Sequence, residues 1–284
     1  MKGRAGSMRF RAAFPSILYD IAEEAGYGIE SYSDLWGHRI TDGRKTLFIV
    51  GYQFPLNPAS SKELCQDKAL TYEVLRSAGI PAIEHWFYPA FPSKTEPSPF
   101  KDRAFAEELL RRDGKAVLKD NYGTGGNQVY LVESMEAFDK TLEKIHSTSY
   151  AAALSPFTDI LNEYRFVMLD KEPQLVIRKE RPFTVDERGK KVYTTWKHNL
   201  GQGAEGVRIT DKTLVDALLS EVLKTMETLN MRFCSVDLVI TKDGPKVLEV
   251  NGGVMMEHFA RQSDEDYELA KAIYSRAIRR YFEE

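Results

Sequence analysis

Three short stretches of the 284-residue sequence carry side chains able to handle phosphate or metal. In KVLEVNGGVMM (residues 246–256), Val247, Leu248 and Val250 suit a buried strand, whereas Glu249 and Asn251 lie two positions apart and so share one strand face. A carboxylate beside an amide offers the hard oxygen ligands that Mg2+ takes. Gly252 and Gly253, which follow, let a large ligand approach the backbone. Upstream, a three-residue hairpin loop of Lys242, Asp243 and Gly244 would pair Thr241 with Pro245 and Ile240 with Lys246, setting Asp237 opposite Glu249. Two carboxylates so placed repel, and a bound cation would offset the repulsion. A two-residue loop would instead turn Glu249 away from Asp237, leaving an ordinary solvent-facing pair. Counting alone keeps both readings open.

The second stretch is VLKDNYGTGGNQVYLV. Lys119 ends an apolar strand, and Gly123, Gly125 and Gly126 make a flexible turn before the next one. Backbone N–H groups in such a turn can wrap phosphate oxygens while the lysine supplies a point charge. A plain flexible hairpin with a surface lysine fits the same letters. The phosphate-loop pattern G-x-x-x-x-G-K-[ST] is absent, and no helix follows. The third stretch, Gly201 to Gly206, matches G-x-G-x-x-G, but it lacks the preceding apolar strand and following helix of a dinucleotide site, so NAD binding is rejected. No Ser/His/Asp or Cys/His arrangement has nucleophile-elbow spacing. His198 reads more readily as a structural or exposed loop histidine than as a base. His258, Met255 and Met256 read as packing under the last helix, and Trp36, Trp86 and Trp196 as core or rim aromatics.

These residues need elements to position them. Helices are expected at 14–25, 60–77, 101–113, 134–146, 211–229 and 264–282 from their apolar stripes and caps. Strands are expected at 45–52, 150–157, 162–169, 173–182, 190–200, 232–240 and 246–250, with strand, turn and strand over 115–132 and an extended stretch at 82–88. The Pro/Ser-rich run at 89–100 reads as a boundary loop. This interleaving with hairpin-like links predicts an α+β fold with mostly antiparallel sheets. With 43% hydrophobic and 29% charged residues the chain reads as a soluble globular protein. A net charge of −3 argues against nucleic acid as a partner. No apolar run approaches a membrane span. Cys65 and Cys234, far apart, suit a reduced cytoplasmic protein. The basic opening, MKGRAGSMRFR, lacks the apolar core of a secretory signal, and Met8 is an alternative start.

In order and content these segments resemble the ATP-grasp superfamily of carboxylate–amine ligases over roughly residues 50–260. DKALTYEVLRSAGIP (67–81) resembles the entry to the nucleotide-binding region, and AVLKDNYGTGGNQVYLV the lysine strand with its closing glycine-rich loop. NEYRFVML with LVIRKERP resembles the paired strands beside the nucleotide. WKHNLGQGAEG resembles the Asn-Leu-x-x-Gly segment of the branch of ribosomal-protein-modifying glutamate ligases, and CSVDLVITKDGPKVLEVN the metal-binding hairpin ending in Glu-x-Asn. The resemblance implies a short N-terminal α/β domain (1–88), a central small lobe (89–154) and a C-terminal lobe (155–284) that clamps Mg·ATP with it, Mn2+ being an alternative metal.

It further implies that Asp237, Glu249 and Asn251 hold magnesium and that Lys119, with Lys68, contacts the nucleotide. Gly123, Gly125 and Gly126 would close over the phosphates. Ser155, Pro156 and Phe157 would meet the adenine edge, where this chain has LSPF in place of the family's acidic hinge. Arg178 and Lys179 would neutralise the γ-phosphate or an acyl phosphate, and Asn199 would assist the metal–phosphate assembly. The implied reaction activates a carboxylate as an acyl phosphate and joins it to an amine. Two rivals stay open: a small-molecule kinase on the same fold, and a nucleotide-binding module without turnover. The implied partner is a small amino acid or a peptide, with no membrane; a homo-oligomer stays open. Residues before 60 and the run GGVMMEHF match little, so the substrate is unnamed.

Overall fold

The computed structural model describes residues 12–284 apart from 96, 97, 99 and 189. The basic opening and Met8 lie outside the described residues. The chain forms two compact units: one runs up to Asn57 and takes in Gly253–Glu284, the other is Pro58–Gly252.

In the first unit, helix α1 (Ala13–Ala25) buries Phe14, Ile17, Leu18 and Ile21 on one face and stops at Gly26, which adopts the left-handed φ of +70°. Strands β1 (Gly28–Tyr32), β2 (Gly37–Thr41) and β3 (Thr46–Val50) form an antiparallel meander. Only β3 was expected, because β1 and β2 carry few apolar residues and show no strong alternation.

The second unit opens with α2 (Ala59–Gln66) and α3 (Lys68–Ser77), where one helix over 60–77 was expected. The break is Asp67, whose backbone is extended and whose carboxylate accepts the Leu70 N–H at 2.9 Å, capping α3. Next come β4 (Trp86–Pro89), α4 (Arg103–Asp113), β5 (Ala116–Asp120), β6 (Val129–Val132), α5 (Met135–His146) and β7 (Ala151–Pro156). Their sheet has the order β4-β7-β5-β6, antiparallel throughout, and its core joins Leu118, Val132 and Leu154 to Leu109, Phe138 and Ile145 of α4 and α5.

A larger antiparallel sheet follows, in the order β12-β9-β8-β13-β14. It comprises β8 (Asn162–Leu169), β9 (Glu172–Glu180), β12 (Glu205–Arg208), β13 (Phe233–Thr241) and β14 (Gly244–Asn251). Helix α6 (Lys212–Thr228) covers one face with α3, burying Leu218, Val222 and Met226 against Phe166, Val236 and Leu238. Between β9 and β12 the chain makes a small exposed ribbon, β10 (Phe183–Val185) with β11 (Lys191–Tyr193). The strand expected over 190–200 is thus only three residues long. Residues 194–199 have no ladder partner, and a short 3-10 turn, Leu200–Gln202, ends the segment.

The last hairpin differs from expectation in its loop and agrees in its pairing. Thr241 pairs with Gly244 and Ile240 with Pro245, so the loop is only Lys242 and Asp243. A bulge then intervenes: Leu238 pairs with Val247 while Asp237 pairs with Glu249, leaving Leu248 as the extra residue. The shorter loop shifts the register by one and the bulge shifts it back. Asp237 and Glu249 therefore do stand opposite each other.

The chain then returns to the first unit through α7 (Glu257–Ala260) and α8 (Asp264–Glu283). α1 has no side-chain cap of its own. The Glu257 carboxylate supplies one through space, accepting the Ala13 and Phe14 N–H groups at 2.8 and 2.9 Å. Tyr274 of α8 stacks on Phe54 and receives the Met256 N–H on its hydroxyl. Met256 is buried as expected, whereas His258 is exposed. Among the described residues no helix is long and apolar enough to cross a membrane.

Candidate active site

Within the second unit both sheets contribute to one cavity of about 240 Å³. The smaller sheet brings Lys119 from the end of β5 and Ser155 and Pro156 from β7, with Phe157 just beyond. The larger brings Glu163 of β8, Lys179 of β9 and Glu249 of β14. Lys68, Gly123, Gly125, Gly126 and Asn199 complete the set of expected residues found along its wall.

Lys119 is the most unusual of them electrostatically. It is buried, and no hydrogen bond or ion pair to it exists among the described residues. Burial, and then the Lys68 ammonium, pull its pKa from 10.5 down to about 8. Lys68, half-buried and with its pKa lowered by desolvation, gives its ammonium protons to the carbonyls of Asn121 and Gly123. The two ammonium groups oppose each other's charge, and the carboxylates of Glu249, Asp120 and Glu163 offset this only in part.

The glycine-rich turn lies over this pair and is fastened to the segment around Asn199. Gln202 Nε2 donates to the Gly126 carbonyl at 3.0 Å. Gly126 has φ +75°, and a Cβ there would come within 2.5 Å of the Asn199 side chain. Only glycine suits that position, through both conformation and space.

Below the cavity the larger sheet carries a set of paired charges. Arg165 grips both carboxylate oxygens of Asp237 at 2.7 Å, Lys179 Nζ donates to Asp237 Oδ2 at 2.7 Å, and Lys179 also pairs with Glu163. Burial would raise the Asp237 pKa, but the two cations overcome it and hold the carboxyl well below the usual range. Burial and Arg165 oppose the charge on Lys179, yet Asp237 and Glu163 keep its pKa raised.

Each expected residue can now be placed. Asp237 is fully buried, does not border the cavity, and has both oxygens committed to cations. Glu249 borders the cavity with its side chain 31% exposed, and Asn251 donates its amide N–H to Glu249 Oε1 at 3.2 Å. Arg178 faces away from the cavity: it pairs with Tyr164 across the ladder and bonds Glu180, whereas its neighbour Lys179 points inward. Successive strand residues alternate faces, so both could not reach one ligand. Ser155 Oγ is buried, borders the cavity and has no partner among the described residues. Phe157 sits 5.9 Å from Trp196 and carries Lys115 over its ring. His198 donates from Nδ1 to the Lys179 carbonyl at 3.2 Å, and its unpartnered Nε2 is buried. A carbonyl only accepts, so Nδ1 carries the proton of that bond, and burial lowers the His198 pKa.

Sequence reasoning passed over Glu163, Arg165 and Asn121. Glu163 and Arg165 had a signal: two charges spaced two apart in an apolar strand, the pattern that marked Glu249 and Asn251.

As metal ligands, Glu249 and Asn251 fit a hard cation that completes its shell with phosphate oxygens and water. Asp237 fits less well, since Arg165 and Lys179 hold its oxygens. Among the described residues no group of three or more His, Cys, Asp or Glu is arranged to hold a metal alone.

A cleft lined by two antiparallel sheets, with Lys68, Lys119 and a glycine-rich turn along its wall, defines an α+β protein of the nucleotide-clamping kind that the sequence resembles. A family model, the ATP-grasp domain, matches residues 65–254, well over half the chain, and the chain belongs to that family. Among curated proteins it is 26% identical over 142 residues to the tetrahydromethanopterin:alpha-L-glutamate ligase of Methanocaldococcus jannaschii, covering 48% of this chain and 45% of that protein. It thus spans less than half the length of that relative. D-alanine–D-alanine ligase from Bacillus anthracis superposes with a TM-score of 0.58 at 16% identity, over 80% of this chain and 72% of that one. A bifunctional glutathione synthetase from Pasteurella multocida gives 0.57 at 14% identity, over 92% and 44%. These two likenesses are of fold.

Proposed function

We propose that this chain is an ATP-dependent carboxylate–amine ligase. The observation that carries the reading is Lys119, buried near Lys68 on a cavity wall shared with the glycine-rich turn, with no hydrogen bond or ion pair among the described residues. The glutamate ligase and D-alanine–D-alanine ligase among its relatives support it.

In this reading Lys119 and Lys68 bind the phosphates, and the turn at Gly123–Gly126 covers them, keeping water from the activated acid. Ser155, Pro156 and Phe157 border the base. Glu249 and Asn251 would hold Mg2+, or Mn2+, which would neutralise phosphate charge when bound. Asp237 would join them in holding the ion only if Arg165 or Lys179 released one of its oxygens. A substrate carboxylate oxygen attacks the γ-phosphorus, the bond to the bridging oxygen breaks, and ADP leaves with that electron pair. The amine nitrogen then attacks the acyl carbon, phosphate leaves with the electron pair of the broken carbon–oxygen bond, and the nitrogen gives up its proton to solvent water. Lys179 and Arg165, on the cavity side of the sheet, stabilise the transferred charge, with Asn199 beside them; Arg178 has no part. Such a reaction is mostly positioning and charge stabilisation, so no protein nucleophile is required.

The acid is a small amino acid or a peptide terminus, in keeping with the excess of cations at the cavity. The two free, buried thiols, Cys65 and Cys234, support a cytoplasmic setting. The expected division at 1–88, 89–154 and 155–284 belongs to this reading.

The test is hydroxylamine trapping with Mg·ATP and pooled amino acids and peptides, following ADP and hydroxamate together. Hydroxamate equal to ADP is expected. ADP alone would replace the ligase with a kinase or a hydrolase, and neither product with no Mg·ATP binding would end the nucleotide reading.

A further inference from the structure

The two lysines of the anion site come from separate parts of the second unit. Lys68 is the first residue of α3, whose apolar face packs with the larger sheet's core, while Lys119 closes β5 in the smaller sheet. α3 touches the smaller sheet at Tyr72, whose ring lies 5.6 Å from Trp86 of β4, and at the Lys68 end a polar bridge joins it to β5. One residue does this with every polar group it has. Asn121 is fully buried. Its backbone N–H donates to the Ala151 carbonyl, extending the β5–β7 ladder past Lys119. Its carbonyl receives both the backbone N–H and the ammonium of Lys68. Its side-chain oxygen accepts the Ala69 N–H at 3.0 Å, and its amide N–H donates to Asp67 Oδ1 at 2.8 Å. Beside it, the Tyr122 hydroxyl donates to the other Asp67 oxygen at 2.7 Å.

This is a specific demand on chemistry. One side-chain atom must accept from a backbone N–H while the other donates to a carboxylate, and only an amide of this length does both. Asp at 121 would bring its own carboxylate against Asp67, and an apolar residue would strand buried donors and acceptors. Gly123 is the last residue of the turn tied back to Lys68; beyond it the turn is held from the other side, by Gln202 on the Gly126 carbonyl.

We propose that Asn121 is a positioning residue that holds Lys68 and Lys119 as one phosphate-binding pair across the junction of α3 and β5. The proposal rests on the reading that this cavity takes ATP. It touches no substrate itself, so its loss should follow the phosphates and spare the base and ribose.

The test is calorimetric titration of the whole chain with ATP, ADP and AMP, each with Mg2+, for the native protein, N121D, the exchange D67N/N121D and the milder Y122F. In N121D the ATP affinity is expected to fall about tenfold or more and the AMP affinity to stay within about twofold, the size expected of one charge-assisted contact. D67N/N121D reverses donor and acceptor between the two positions and is expected to regain part of the ATP affinity. Y122F removes one bond to Asp67 and is expected to show the same ATP-over-AMP bias on a smaller scale, so a failure of N121D to fold leaves the proposal testable. Equal losses for ATP and AMP, or unchanged ATP affinity in Y122F and N121D, would overturn it while leaving the nucleotide reading intact. A native protein that binds none of the three would sink both.

Discussion

Two groups of cations border or underlie the same cavity and are treated in opposite ways. Arg165 and Lys179 sit in a closed set with Asp237 and Glu163, every charge matched within bonding distance. Lys119, buried, has no hydrogen bond or ion pair among the described residues, and Lys68, half-buried, gives its ammonium protons to carbonyl oxygens. Matched buried charges contribute to a unique arrangement of the sheet, whereas unmatched ones cost stability in the free protein. A fold keeps the latter when a ligand supplies the missing charge. The difference separates what builds the site from what the site is for, and substitutions in the two groups should change stability in opposite directions.

The largest effect is expected from breaking the matched set. Asp237→Asn removes the carboxylate that Arg165 grips with two bonds and that Lys179 shares, leaving buried cations uncompensated. Chemical denaturation should show a loss of about 3–5 kcal/mol. A loss below about 1 kcal/mol would mean that the set is not closed in solution.

Lys119→Met should do the reverse. Its folded pKa lies near 8 against 10.5, chiefly through burial and secondly through Lys68. Below about pH 8 the lysine is charged in both states, and its burial costs the full difference, about 3 kcal/mol at 1.36 kcal/mol per pH unit. Between pH 8 and 10.5 the unfolded chain holds the proton and the folded one does not. Native stability therefore rises with pH across that window, and above it the cost is gone. K119M should be more stable than the native protein at pH 7, lose this rise, and bind ATP poorly. A variant less stable at pH 7 would show that Lys119 has a counter-ion after all.

Glu249 stands between the two groups, with its side chain 31% exposed and Arg165 at 4.0 Å. Glu249→Ala should leave the fold intact and lower turnover by about a hundredfold or more, the usual size for removing a group that stabilises developing charge. Unfolding, or undiminished turnover, would assign Glu249 to the structural set.

Most elements were readable because their residues vote together: the stripes of α1 and α6, and the apolar strands β7, β8 and β13, lie within a residue or two of expectation. Readability failed where a single backbone choice outweighs pattern. The hairpin after β13 has a two-residue loop and a bulge at Leu248, two departures that cancel, so the opposition of Asp237 and Glu249 was reached by a wrong count. No composition rule signals a bulge there, since Leu248 is an ordinary strand residue. Asp67 looks like any polar helix residue until Asn121, more than fifty positions on, is seen to bond it. What that bond fixes is tertiary, and the local sequence carries no trace of it. Arg178 and Lys179 are different: period-two alternation puts neighbours on opposite faces, while the resemblance implied a role for both.

That pair gives the smallest expected effect and the finest test of the comparison. Arg178 lies on the face away from the cavity, its guanidinium on Glu180, a carboxylate that Lys191 also reaches. Losing it leaves Glu180 with a partner, and the side chain is more than a third exposed. Arg178→Ala should therefore change stability by no more than about 0.5 kcal/mol. It should leave both the affinity for ATP and the turnover within about twofold of native. Lys179→Ala, one residue along, removes a member of the matched set and should cost both. If instead R178A stopped turnover with stability unchanged, the two residues would have to exchange faces on nucleotide binding. Such an exchange requires β9 to slip by one residue against β8, and hydrogen-exchange protection along Glu172–Glu180 with and without ATP would register the slip as a loss of protected amides.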